Sequence, residues 1–94
     1  MTKYTVKYTT QFKKDLKNAS KSHRDIELIK AVVTKLANGE TLAPNFRDHA
    51  LTGDWKNYRE CHIQPDWLLI YKIENDILVL TLARTGSHST LFSK

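Results

Sequence analysis

The chain has 94 residues, with one cysteine, two prolines and three glycines, and no apolar run long enough to cross a bilayer. Each shortage removes a class of protein. A single thiol cannot close an internal disulfide, which argues against a disulfide-stapled secreted domain. Scarce glycine and proline exclude collagen-like and linker character. The longest apolar stretches, "WLLIY" and "ILVL", fall far short of the roughly 20 residues that a spanning helix needs. The start, "MTKYTVKYTT", holds no apolar signal core. These absences lead us to expect a cytoplasmic protein without a membrane partner. A chain this short buries about 60–65% of its unfolded surface, so one domain over residues 1–94 with one modest core is expected.

The residues present favour a folded protein: hydrophobic content is 40%, with two Trp, four Tyr and three Phe. The net charge of +5 is unevenly spread. Residues 1–35 hold nine Lys or Arg against three acidic residues, and the remainder holds six against seven. A basic face of this kind suits nucleic acid, an acidic protein or an anionic membrane; otherwise it is a solvated helix surface.

Residues 3–8, "KYTVKY", alternate and read as a strand. Thr9 or Thr10 then caps a helix in which Phe12, Leu16 and Ala19 recur at helical spacing. A second helix is predicted from Asp25 to Ala37, with an apolar stripe of Ile26, Ile29, Val33 and Leu36 and a stop at Asn38–Gly39. Residues 40–57 form a long irregular connection, which in a small domain points to function. Three strands follow, over 58–64, 67–73 and 77–83, turned by Pro65–Asp66 and by residues 74–76. The predicted order is β-αα-βββ: an α+β fold with a two-helix hairpin on one face of a mainly antiparallel sheet.

Three histidines occupy the second half: His49 in the long loop, His62 in "CHIQPD" and His88 in the tail. None belongs to an apolar stripe, and each adjoins an element end. A zinc site is the first alternative, although the spacing matches no HxxxH or HExxH pattern and a second cysteine is lacking. Cys61 as a nucleophile paired with His62 is the second. Neighbouring strand residues point to opposite faces, so Cys61 is expected to face the helices with Ile63 as a small buried hydrophobe. The third is metal-free RNA cleavage, which needs a base for the ribose 2′-OH, an acid for the departing 5′ oxygen and a cation for the phosphate. Histidine suits both proton roles, and Arg84 or Arg59 suits the phosphate. Strict alternation places Arg84 on the side of Leu78, Leu80 and Leu82, so it reaches a phosphate only past the strand end or beyond a bulge. Trp67, Trp55 and Phe92 are candidates either for the core or for stacking on a base.

The segments "RDHALTGDWKNYRECHIQPDWLLIYKI" and "LARTGSHSTLF", with the N-terminal "YTTQFKKDLK", resemble the YafQ family of bacterial type II toxins within the RelE superfamily. The resemblance covers almost the whole chain. It implies a ribosome-dependent, metal-independent endoribonuclease without cofactor that cuts mRNA in the A site. The implied partners are the ribosome, mRNA and a cognate antitoxin, acidic where it covers the toxin, with a toxin–antitoxin heterotetramer as one form of assembly. The implied site comprises His49, His62, Asp66 and His88, with Trp67 and Phe92 around the nucleotide, Arg84 first and Arg59 second for the phosphate, and His88 as general acid. Two departures bear on loop geometry: Ala50 stands where the family pattern has proline, and Asn57 where it has glycine. The competing readings are a non-catalytic RNA- or ribosome-binding module and a purely protein-binding regulatory partner.

Overall fold

In the computed structural model, residues 3–74, 79–87 and 91–92 are described, with backbone only for 79–83. The turn expected at 74–76 falls largely outside these residues, as do His88, Ser93 and Lys94. The elements run β1 (Thr5–Tyr8), α1 (Thr10–Lys21), α2 (Ile26–Ala37), β2 (His49–Ala50), β3 (Arg59–Gln64), β4 (Trp67–Glu74) and β5 (Val79–Gly86).

Both helices start where a side chain serves a backbone N–H that would otherwise lack a partner. Thr9 Oγ1 accepts from the Phe12 N–H at 3.0 Å, and Asp25 Oδ1 accepts from the Glu27 N–H at 3.0 Å. The second helix therefore begins at Ile26, with Asp25 as its cap. It stops at the Asn38–Gly39 pair: Gly39 has φ +78, and a Cβ there would stand 2.6 Å from Lys3 Cδ. The first helix buries Phe12, Asp15 and Ala19, and the second Ile29, Val32, Leu36 and Ala37. Of the expected stripes, Phe12, Ala19, Ile29 and Leu36 are buried, whereas Leu16, Ile26 and Val33 are only partly so; Asp15, Val32 and Ala37 are buried in addition.

The sheet has five strands in the order β1-β5-β4-β3-β2, with β1 parallel to β5 and the other pairs antiparallel. Strand β2 was not anticipated. It lies in the long connection, which also holds 3-10 turns at Pro44–Phe46 and Gly53–Trp55. The sheet is covered on both faces. The helices pack on one through Cys61, Ile63, Trp67, Leu69 and Tyr71. On the other, Leu68, Ile70 and Leu91 are buried together, flanked by Leu51, Trp55, Tyr58 and Phe92. Strand β4 therefore reads as an apolar run rather than an alternation, because both its faces are dry. Burying Leu68 and Ile70 contributes about 1.5–3 kcal/mol each and clamps the tail against the sheet.

Two register shifts shape the functional end. Between β4 and β5 the pairing moves from Ile70↔Arg84 to Tyr71↔Leu82, which makes Ala83 an extra residue. Arg84 thus lies beyond a bulge, one of the two placements under which the sequence reading allowed it to reach a phosphate. Between β3 and β4 the pairing shifts between His62 and Gln64, just before the Pro65–Asp66 turn.

Candidate functional site

Strand alternation assigns the β3 side chains to two faces. Cys61 and Ile63 enter the core under the helices, whereas Glu60 and His62 lie opposite Ile70 and Leu68, which belong to the other face. The short strand β2 pairs His49 with Glu60. The outcome is a carboxylate between two imidazoles: Glu60 Oε1 is 3.5 Å from His49 Nε2 and 3.4 Å from His62 Nε2. Glu60 is only 5% exposed, so its carboxyl lies between the two rings largely out of contact with bulk water. Two of the histidines named from the sequence are thereby brought together, although they are thirteen residues apart.

The backbone selects a tautomer for His49. Its Nδ1 lies 2.7 Å from the Arg47 carbonyl, and a carbonyl only accepts, so Nδ1 carries a proton and Nε2 faces Glu60. Arg47 has φ +51, a left-handed conformation that aims this carbonyl. Beside the cluster, Asn45, Arg47, His62, Ile63, Gln64 and Pro65 line a groove of about 470 Å³. A cationic side chain and an imidazole therefore share one cleft.

Glu60 and Arg47 were absent from the sequence-derived site. Glu60 had a readable signal: it lies two residues before His62 on a strand, hence on the same face. Arg47 had none, because its place depends on the loop's path.

The other candidates are distributed as follows. Asp66 is exposed in the turn joining β3 to β4, close in sequence to His62. Phe92 is half-buried against Leu68 and Ile70, so it pins the tail on the face that carries Glu60 and His62. His88 lies outside the described residues.

Trp67 requires correction as a nucleotide platform. It is 0% exposed, within the helix-side core, and the Arg24 guanidinium stands 5.3 Å from its ring centroid. A ring with no accessible face cannot stack on a base; its contribution is to packing.

Arg59, the second candidate for the phosphate, has an ion pair of its own. It pairs with Tyr71 on the helix side of the sheet. Its Nε donates to Asp48 Oδ1 at 3.1 Å, and the Tyr71 hydroxyl donates to the same oxygen at 2.6 Å. Burial and then Asp48 raise the Tyr71 phenol well above its usual range, so it stays protonated as a donor.

Arg84 makes a bidentate pair with Asp15: Nε to Oδ2 at 2.9 Å and Nη2 to Oδ1 at 3.0 Å. Its backbone lies in register with Ile70, which itself pairs with Glu60. In the same way, Gly86 pairs with Leu68, and Leu68 with His62. Arg84 and Glu60 are thus two strands apart in one row, or about 10 Å.

Cys61 is fully buried, and its thiol is pushed up to about 12 by burial, then by Asp48 and Glu60. Thiolate chemistry is excluded, in agreement with the sequence reading. What the cluster offers is proton transfer between imidazole and carboxylate beside a cationic groove.

Comparison with known proteins gives a consistent picture. Residues 4–93 match the family described as the bacterial toxin of type II toxin-antitoxin systems, YafQ. The mRNA interferase toxin YafQ of Escherichia coli K12 is 42% identical over 88 residues, covering 93% of this chain and 94% of that protein. The toxin in the crystal structure of the E. coli DinJ–YafQ toxin–antitoxin complex superposes with a TM-score of 0.88 at 41% identity, covering 96% of this chain and 98% of that one. YafQ from E. coli BL21(DE3), also solved as a crystal structure, gives 0.89 at 40% identity over 95% and 98%.

Proposed function

Because the chain belongs to the YafQ family of type II toxins, we propose that its His49–Glu60–His62 cluster works as the proton-handling centre of an mRNA interferase. The chain is the toxin of a toxin–antitoxin pair and an mRNA endoribonuclease, and its partner is a cognate antitoxin. Residues 1–94 act as one toxin domain. Cleavage takes place on mRNA held in the ribosomal A site, which places the reaction in the cytoplasm; among the described residues no helix is long and apolar enough to cross a membrane.

The observation that carries this reading is the buried Glu60 carboxylate shared by two imidazoles at 3.4 and 3.5 Å, at the edge of a groove that also holds Arg47. RNA supplies its own nucleophile. An imidazole of the cluster takes the 2′-OH proton, and the 2′ oxygen attacks the adjacent phosphorus. The phosphorus–5′ oxygen bond breaks, and the leaving oxygen takes a proton, a step we assign to His88. The products are a 2′,3′-cyclic phosphate and a free 5′-hydroxyl. Glu60 orients both rings, and Asp66 and Phe92 lie where the nucleotide would enter. An arginine, Arg84 first, meets the phosphate charge. On the helix side, an apolar groove lined by Tyr8, Phe12, Leu16, Ile26 and Val33, with Lys30 among its walls, suits an antitoxin segment with apolar anchors and acidic flanks.

Induction without antitoxin, followed by mapping of transcript 5′ ends, tests this reading. Cuts in fixed codon phase with 5′-hydroxyl ends are expected. Intact transcripts would overturn it in favour of a binding module, and cuts without phase would overturn its dependence on the ribosome.

A further inference from the structure

We infer that Asp15, on α1, is a positioning residue for RNA cleavage that acts through Arg84. The inference rests on the proposed function and extends it to a residue outside the groove.

Asp15 occupies a place in α1 where an apolar side chain would be expected, within the stripe of Phe12 and Ala19, and is 6% exposed. A carboxylate there is costly unless it is fully bonded. It accepts four hydrogen bonds: two from Arg84 at 2.9 and 3.0 Å, one from the Thr85 N–H at 3.2 Å and one from Gln11 Nε2 at 3.1 Å. Burial opposes the charged form, but Arg84, Gln11 and Thr85 together hold the carboxyl below its usual range. Two of these donors are consecutive residues of β5, immediately after the bulge at Ala83. Thr85 is fixed a second time, its hydroxyl donating to the Leu68 carbonyl at 2.6 Å.

The geometry of the pair makes it more than a structural tie. Pairing with β1 stops at Leu82, so the edge of β5 at Arg84 is open and its long side chain can reach α1. Asp15 grips the Nε/Nη2 side of the guanidinium. Those two bonds use two of its five N–H donors and leave the outer edge for another acceptor. The Arg84 side chain is 25% exposed, so part of it meets solvent despite the pairing. A guanidinium clamped on one side by a buried carboxylate cannot swing. Its remaining donors point along a fixed direction, from a backbone position in the row of Ile70 and Glu60. A phosphate diester is the acceptor that a fixed, planar fork of this kind recognises.

The experiment measures steady-state cleavage on programmed ribosomes by Asp15→Asn, Arg84→Ala, Gln11→Ala and the Asp15→Asn/Arg84→Ala double variant, with melting recorded for each. Asp15→Asn is expected to lower kcat about tenfold to a hundredfold, as a misplaced catalytic group does, with KM unchanged. In the Arg84→Ala background the same substitution should cost nothing further. If Asp15→Asn does not fold, Gln11→Ala, at an exposed position, carries the test with a few-fold loss in kcat. Wild-type kcat in folded Asp15→Asn, undiminished kcat in Gln11→Ala where that variant carries the test, or equal losses with and without Arg84, overturns the inference. His62→Ala is the control: if it cleaves like wild type, the proposed function itself has failed, whereas an inactive His62→Ala beside a fully active Asp15→Asn refutes only the role of Asp15.

Discussion

Replacing Trp67 by phenylalanine separates packing from chemistry. The residue sits at 0% exposure in the helix-side core, and among the described residues its indole Nε1 has no hydrogen-bond acceptor. Truncation to alanine should cost about 3–5 kcal/mol, as for other buried large-to-small changes. A domain of this size has about 5–14 kcal/mol in total, so Trp67→Ala loses a large share of it. At about 4–8 °C per kcal/mol its melting point should fall by some 12–40 °C. Phenylalanine behaves differently. It forfeits the second ring's packing, about 1–2 kcal/mol, and part of the Arg24 contact, about 0.5–1 kcal/mol. It also removes a buried N–H that has no acceptor among the described residues, which relieves about 1–3 kcal/mol. The opposing effects nearly cancel, so Trp67→Phe should lie within about 1 kcal/mol of wild type. Urea unfolding followed by intrinsic fluorescence measures the first quantity, and cleavage of ribosome-bound mRNA the second. A Trp67→Phe protein with wild-type stability and wild-type cleavage is expected. A stable but inactive Trp67→Phe would refute the reasoning, because it would place the indole in contact with RNA.

Further predictions concern Cys61 and Asp15. Native protein at pH 8 should resist iodoacetamide, because the Cys61 thiol is buried and pushed up to about 12; rapid alkylation of folded protein would contradict this. Cys61→Ala should retain cleavage once its stability loss, about 1 kcal/mol for a small buried side chain, is allowed for. Asp15 has a folded pKa below its ordinary value, so its stabilisation is complete above pH ~4 and is lost as pH falls through the lowered folded value. As the pH falls below about 4, the melting temperature of wild type should therefore drop more steeply than that of Asp15→Asn. Parallel curves would contradict the assigned ion pair.

The elements were legible where a single periodicity governs them. The two helices, the Asn38–Gly39 stop and the Pro65–Asp66 turn emerged from spacing and turn chemistry, although the buried faces are turned slightly from the expected stripes, toward Asp15, Val32 and Ala37. The two-residue strand β2 did not, because two residues carry no period and its pairing comes entirely from β3. His49 and His62 were legible as residue types, but what joins them, Glu60, was not named. An acidic residue in a strand looks like solvent-facing charge until its partners are placed around it. Trp67 was ambiguous for a related reason: β4 is buried on both faces, so alternation cannot say which of its aromatics is accessible. A bulge is present at Ala83, one of the two conditions that alternation set for Arg84. That Asp15 would claim its guanidinium depends on helix docking, which has no local signature in the sequence.

In the proposed function, Glu60 holds two imidazoles for proton transfer in RNA cleavage. Its most direct test is the single-turnover cleavage rate of Glu60→Gln on mRNA in programmed ribosomes, compared with wild type. The substitution keeps the shape and removes the charge. The rate should fall by about 10²-fold or more, within the range for loss of positioned acid–base catalysis, while ribosome binding and melting stay near wild type. A Glu60→Gln enzyme that cleaves at the wild-type rate would contradict the account.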